Sequence, residues 1–569
     1  MPTKVRLSRP RRTARLTFAD GRVFEAPLGT PLSAYMAAAT ADDGLPPAIA
    51  AILDGKLVEL SRPVLRDGQV QPVRVDSTDG ARIYRRSLIF LLVAVAAREF
   101  PAARVYVEHA IPNGGFYCRV EGRPPFTPEE LGHLERHMRS VVAADLPIIR
   151  QEMALEEAMA LFRRAGDEEK LALLEQRRKP TLIVYKLLDT QDYLHGFMAP
   201  STGMLQHFAL EPSDHGFLLR FPKQRAWGVI QPTSPRPPLF EVFTEYSAWL
   251  RTLGIRDVGG LNEAIATGRL QEVILVTEAL HEQRIGAIAE QIARRPEPVR
   301  LVLIAGPSSS GKTTFARRLA VRLLALGLRP LAISLDDYFV DRSLTPRDER
   351  GELDFESLYT VDLPFLNRQI NQLIAGEEVQ LPRFDFRQGK RQPGLTVRIG
   401  PQHILILEGI HALNPELLTE VDPRFCFRVY VSALTQLNLD RYNRVSTTDT
   451  RLIRRIVRDA HSRGYSAAET IARWESVRRG EQRWIFPFQD KADVMFNSAL
   501  TYELAVLKPL VEPLLLPIEP GTPERIEANR LQALLQWFQP APSQDIPSDS
   551  ILREFIGGSL LEHYRPWPF

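Results

Sequence analysis

Arg300-Leu-Val-Leu-Ile-Ala305-Gly306-Pro-Ser-Ser-Ser-Gly-Lys-Thr313 is the stretch on which the fold of this 569-residue chain turns. Its first six residues are a short apolar run rich in branched side chains, the pattern of a buried strand. The next eight fit GxxxxGK[ST], and a helical pattern follows from Phe315 to Leu326 that Gly327 can close. Glycines let the backbone turn tightly so that its N–H groups face phosphate oxygens, and the N-terminus of the following helix adds partial positive charge. Gly306, Ser308, Ser309, Ser310, Gly311, Lys312, Thr313 and Thr314 are therefore predicted to cradle the phosphates of ATP. Lys312 should reach the β and γ phosphates, and the Thr313 hydroxyl should sit on Mg2+. A Gly/Ser-rich loop with an incidental lysine would leave the coincidence of strand, loop and helix unexplained.

Downstream, Leu331 to Leu335 reads as a second strand that ends in Asp336-Asp-Tyr-Phe339. Carboxylates thus fall at the C-terminal edge of a strand, where parallel sheets bind ligands, and Asp336 there could take a proton from an attacking hydroxyl. Ile404-Leu-Ile-Leu407 leads into Glu408-Gly-Ile-His411, a Walker B pattern that makes Glu408 the second magnesium anchor. After a fourth strand at Val429 to Val431 comes an arginine-rich helical stretch with Arg451, Arg454, Arg455, Arg458 and Arg463. A solvated basic face is the plain reading. The alternative is a lid whose arginines, Arg451 and Arg458 among them, neutralise charge on a transferred phosphoryl group.

These segments resemble the uridine kinase and phosphoribulokinase family from about 298 to 516. The likeness continues through Leu353-Asp-Phe-Glu-Ser357, Gln380-Leu-Pro-Arg-Phe-Asp-Phe386, Asp449-Thr-Arg-Leu-Ile-Arg-Arg455 and Ala492-Asp-Val494. The resemblance implies that Asp336 is the catalytic aspartate, that Asp354 contacts a substrate sugar, and that Phe384 lies beside a base in a pocket that Tyr338 and Phe339 help form. It implies transfer from ATP to the 5'-hydroxyl of a nucleoside. One departure is visible: the family's pyrimidine-reading histidine falls at Gly389, which keeps a sugar, sugar phosphate or polyol open as acceptor.

The chain upstream has a different character. From Thr13 an alternating pattern meets Asp20-Gly21 and resumes, as in a hairpin, and further Asp-Gly turns are expected at Asp54-Gly55 and Asp67-Gly68 around a helix at Leu32 to Ala39. A buried helix near Tyr84 to Phe100 follows, with strands at Val105 to Val107 and Phe116 to Val120. Thr127-Pro-Glu-Glu130 has the form of a capping box. With Pro112-Asn-Gly-Gly-Phe-Tyr117, Asp145-Leu-Pro147 and Pro200-Ser-Thr-Gly203, the first 220 residues resemble the TGS domain and editing-type domain of threonyl-tRNA synthetases. The family's HxxxH pair and its later Cys and His fall on Arg86, Phe90, Leu194 and Met198. None of these supplies the nucleophile, base or metal ligand of ester hydrolysis, so editing is not expected. A lone His195 nearby reads as structural.

The fold class that follows is multidomain α/β: a C-terminal P-loop NTPase parallel sheet flanked by helices, and an N-terminal β-grasp plus an α+β domain. The expected boundaries are 1–78 for the TGS-like module and 79–222 for the editing-type domain. A linker with bracing helices (Leu261 to Ile265, Val273 to Ala293) follows over 223–297, its Pro-rich part at Pro232 to Pro238. The P-loop domain takes 298–520, and a helical tail takes 521–569. In that tail Arg553 and Glu554 read as an ordinary ion pair.

Composition adds exclusions. Hydrophobic residues are 44% and charged residues 25%, as in a globular protein, and a formal charge of +3 gives no global field for polyanions. The exception is a basic arm, Lys4, Arg6, Arg9, Arg11, Arg12 and Arg15, a solvated segment on the plain reading and a weak RNA contact on the other; the synthetase-like first 220 residues carry a rival reading, an RNA-associated or regulatory factor whose ATP site drives a switch. Two separated cysteines, Cys118 and Cys426, argue for a reducing, cytoplasmic setting, and no apolar run reaches membrane-span length. The expected partner is a small-molecule substrate, and the oligomeric state is left open.

Overall fold

Five parallel strands carry the C-terminal half, and the strand predicted before the glycine loop forms over Leu301–Ala305 with every residue buried. The computed structural model describes residues 11–41, 43–111, 113–232, 249–250, 252–348, 351–435 and 437–564, with Arg225 described by its backbone alone. Across the sheet the order is Arg329–Ser334, His403–Glu408, Leu301–Ala305, Cys426–Ser432 and Val494–Asn497. The first strand in sequence is thus central, and the chain leaves it to one side and later fills the other. That reversal opens a crevice at the C-terminal strand ends, where α/β sheets bind ligands. An antiparallel hairpin, Glu378–Asp385 with Lys390–Arg398, stands beside it.

The N-terminal module is a mixed five-stranded sheet in which Thr13–Phe18 pairs in parallel with the strand Gly68–Arg74. Helix Leu32–Thr40 packs on it through Leu32, Tyr35 and Met36. Asp54 and Gly55 have φ of 49° and 71°, the left-handed pair that a tight two-residue hairpin requires. Asp67-Gly68 is not a hairpin turn: Gly68 opens a strand, and the Asp67 carboxylate accepts from the Arg15 amide.

Helix Thr78–Glu99 begins six residues before the expected Tyr84, because the Ser77 hydroxyl accepts from the Gly80 amide and caps it there. Around it lie a four-stranded antiparallel sheet, which contains Arg104–Ala110 and Gly115–Glu121, and a three-stranded one. The Thr127 capping box is present in full at the head of Pro128–Ala143. The Pro-rich linker lies outside the described residues apart from Pro232, as does the basic arm up to residue 10. Arg11 and Arg15 pair with Asp67 and Glu25.

Helices Val258–Ala266 and Leu270–Ala293 do brace the parallel sheet. Ile285, Ile288 and Ile292 share one apolar core with Phe315 and Leu319 of the P-loop helix. The tail enters the same core through Leu531, Leu535, Ile551, Leu552 and Phe555. At the seam between halves, Lys170 is fully buried against Asp192 and donates to Tyr442 Oη at 2.6 Å. No helix among the described residues is long and apolar enough to cross a membrane.

Candidate phosphate-transfer site

The loop after the central strand can be built from few residue types. Gly306 has φ of 157° and lies so close to the next strand that a Cβ there would meet the Val431 carbonyl oxygen at 2.0 Å. Helix Lys312–Ala325 starts at Gly311, whose φ is 83°. The hydroxyls of Ser309 and Ser310 are buried with no hydrogen-bond partner, and the buried Lys312 ammonium donates to the Pro307 carbonyl at 3.1 Å. Buried groups left in this state are costly unless a ligand completes them, so the cradle fits the phosphates of ATP. Thr313 Oγ1 and Ser334 Oγ both donate to Glu408 Oε1, at 3.3 and 3.4 Å. Burial, with Asp336 and Glu554 adding to it and Lys312 opposing, pushes Glu408 up to about 7. A hydroxyl beside a crowded carboxylate is a donor set of the kind Mg2+ takes.

Two carboxylates that sequence reasoning missed close the cradle. Glu481 Oε1 accepts from the Ser308 amide at 3.1 Å and is paired with the Arg451 guanidinium. Glu554 Oε2 accepts from the Thr314 amide at 3.1 Å and from Thr314 Oγ1 at 2.9 Å. This corrects the tail reading: Arg553 does not pair with Glu554 but donates to the carbonyls of Ser543 and Pro547 at 3.1 and 3.4 Å, folding its own loop. Ile551 lies over Gly311, where a Cβ would meet its Cγ2 at 2.5 Å.

The arginine stretch forms helix Thr447–Arg458, and its basic face is not solvated. Arg451 Nε donates to the Ser308 carbonyl at 2.8 Å, and Arg455 donates to Ser308 Oγ at 2.9 Å. Arg454 is fully buried, bound to Glu503 at 2.6 Å and the Ser498 carbonyl at 2.8 Å, which makes it a brace of the core. Arg458 is held by Asp459 at 3.2 Å.

The acceptor side opens at Asp336, at the end of strand Arg329–Ser334. Asp336 is exposed to solvent, yet the protein packed around it confines the carboxylate. That confinement raises its pKa, while the charges of Lys312, Arg463 and Arg458 pull the other way. Asp337 accepts from the Phe384 amide at 3.1 Å and ties the hairpin to this strand end. The rings of Phe339 and Phe384 meet edge-on at 5.7 Å, and Phe386 stands 5.2 Å from Phe384.

Tyr338 does not join them. It is fully buried and its hydroxyl donates to Gln369 at 2.9 Å, so it supports the cleft from beneath. Asp354 accepts from the Glu356 amide at 3.1 Å. Glu356, another residue the sequence reading passed over, is pushed up to about 7 by burial and by Glu481. Gly389, at φ 66°, accepts from the Arg342 amide at 2.9 Å, and a Cβ on it would strike the Arg342 side chain.

In the N-terminal half Phe90, Leu194 and Met198 are buried apolar residues, and Arg86 donates to the Phe197 carbonyl at 2.6 Å. His195 Nδ1 accepts from Tyr193 Oη at 2.9 Å and Trp537 Nε1 at 3.3 Å, and burial pushes the ring down to about 3, so it is a neutral structural histidine. Cys118 and Cys426 are both free and buried.

Comparisons with known proteins match different parts of the chain to different proteins. Residues 301–505 match the model of the Phosphoribulokinase / Uridine kinase family. The N-terminal region is similar to threonine–tRNA ligase 1 of Bacillus subtilis, 36% identical over 198 residues, which is 34% of this chain and 30% of that protein. The chain thus spans under a third of the length of that curated relative. Among solved structures, one described as a possible uridine kinase from Bacillus stearothermophilus is 22% identical and covers 38% of this chain and 98% of its own, with a TM-score of 0.27. D-glycerate 3-kinase from Cryptococcus neoformans is 19% identical and covers 48% of this chain and 89% of its own, with a TM-score of 0.22.

Proposed function

We propose that the chain is an ATP-dependent phosphotransferase that acts on the 5'-hydroxyl of a nucleoside of the uridine or cytidine type. The observation that carries this reading is Asp336. It lies at the C-terminal edge of the sheet that bears the P-loop, under the charge of Lys312 and beside the aromatic wall of Phe339 and Phe384. The match of residues 301–505 to a kinase family supports it.

In this reading the acceptor hydroxyl gives its proton to Asp336 as its oxygen bonds to the γ-phosphorus of ATP, and the bond from that phosphorus to the β–γ bridging oxygen breaks to release ADP. Lys312 and the cradle amides hold the phosphates in line. Mg2+, held through Thr313 and Glu408, supplies charge neutralisation on the phosphate oxygens. Arg451 and Arg458 face the same phosphates once the carboxylates that now hold them give way. Phe384 and Phe339 offer ring faces and edges to a flat base, and Asp354 offers an acceptor for sugar hydroxyls.

Lys312→Ala and Asp336→Asn are both expected to abolish turnover, the second by about 10²–10⁴-fold with ATP binding kept. Full activity in Asp336→Asn sinks the base assignment. Gly389, with Arg342 packed over it, favours a second reading in which the acceptor is a sugar, sugar phosphate or polyol. A panel of nucleosides, sugars and polyols with ADP readout separates the two. Filter binding of tRNA tests the RNA-associated alternative, which strong retention without small-molecule turnover would favour.

A further inference from the structure

A second cavity, of about 410 Å³, lies far along the chain from the P-loop, between the N-terminal α+β domain and helix Pro523–Leu535 of the tail. Its size falls in the range of small-molecule sites. Six basic side chains line it, Lys56, Arg82, Arg86, Arg177, Lys179 and Arg530, against one carboxylate, Asp79. Arg82 and Arg530 are neutralised from behind by Glu527, and Arg530 by Asp449 as well. The other four basic groups have no ion pair among the described residues.

Arg86, half-buried, is one of these four. Its guanidinium is fixed by the Phe197 carbonyl and lies against Gly196, where a Cβ would meet it at 2.7 Å. Burial, and after it the charges of Arg530 and Arg82, pull it down to about 10, which leaves it protonated at neutral pH. The nearby Glu59 carboxylate is engaged by Tyr185 and Met198 and forms no direct ion pair with Arg86, so an anion that enters the cavity meets a cation only partly compensated.

Part of the lining is aromatic, with the Tyr193 and Trp537 rings tilted 53° to each other. Tyr193 and Trp537 meet at 4.9 Å, and the Arg177 guanidinium lies 4.8 Å over the indole ring. His195 Nδ1 is held by both aromatic residues, and burial makes the ring a very weak base. The chemistry is that of recognition without turnover.

We propose that this cavity binds a small organic anion that carries a planar group, with Arg86 on the anionic end and Trp537 with Tyr193 on the planar one. The tail helix supplies one wall, so the site exists only where the tail is docked.

The test uses the full chain bearing Lys312→Ala, which silences the phosphate cradle, and titrates it with benzoate, UMP and AMP by calorimetry and Trp fluorescence. At least one probe is expected to saturate below ~5 mM, in the range of weak specific binding. Arg86→Gln in the same background should weaken it tenfold or more, and Arg177→Gln, nearer the rim, guards against misfolding of the first. The proposal is overturned if no probe saturates by ~5 mM, or if both arginine variants bind as the parent does. It is equally overturned if a single-stranded RNA oligonucleotide binds through these arginines more tightly than all three probes.

Discussion

Replacing Glu554 by Gln should tighten ATP binding and loosen the fold, two effects of opposite sign from one removed charge. Glu554 Oε2 takes the Thr314 amide and hydroxyl at 3.1 and 2.9 Å, at the start of the P-loop helix. A carboxylate at a helix N-terminus contributes about 0.3–1 kcal/mol, and up to ~2 kcal/mol when partly buried. Glutamine keeps an acceptor oxygen, so folding should weaken by about 1 kcal/mol, read as a shift in the urea midpoint. Nucleotide, by contrast, needs the same amide for a phosphate and meets a full negative charge there. At ~4 Å and an effective dielectric of ~20 such repulsion is about 4 kcal/mol, an upper bound once the side chain swings away. About a third of it surviving, ~1.4 kcal/mol, gives tenfold tighter ATP. Calorimetric titration of both chains with Mg-ATP measures this. Unchanged or weaker ATP affinity in Glu554→Gln would refute the competition argument, whatever the urea midpoint does.

Other outcomes follow from the same geometry. Asp336 must be ionised to act as base, and confinement raises its pKa. Turnover should therefore fall as pH drops through a value above that of a free aspartate, ~3.9, and Arg458→Ala, by removing one opposing cation, should move this acid limb to still higher pH in a kcat/KM profile. Arg454→Leu leaves Glu503 buried and unpaired, and should cost about 3–5 kcal/mol of stability; Arg454→Leu with Glu503→Leu should regain most of it in urea denaturation. Thr127→Ala removes the capping-box hydroxyl and should cost about 1 kcal/mol without changing turnover. EDTA should abolish turnover, and added Mg2+ should restore it.

What the sequence makes legible here is whatever neighbours in the chain decide. Strand, glycine turn and helix around Lys312 are contiguous, and so are the Thr127 box and the Asp54-Gly55 hairpin. Glu481 and Glu554 escaped because their partners lie 173 and 240 residues away, and nothing in a helix pattern marks a carboxylate as aimed at a distant amide. Tyr338 was misplaced for a local reason. Leu335–Tyr338 forms a 3-10 turn, in which residues three apart share a side, so Tyr338 follows the buried Leu335 into the core. Arg454 was read with its neighbours as part of one basic stripe, yet helical spacing turns it inward to Glu503 while Arg455 points to Ser308.

The docking of Ile551 and Glu554 on the P-loop also orders events in time. Glu554 follows Thr314 by 240 residues, which at ~5–20 residues per second take about 12–50 s to synthesise. For that interval a nascent chain carries its cradle amides without the carboxylate that later meets them. If the loop binds ATP as proposed, nucleotide reaches it before the tail does, and a bound phosphate then stands where Glu554 is to arrive. The order of arrival, and not only the final balance of affinities, thus sets which of the two first occupies the helix start.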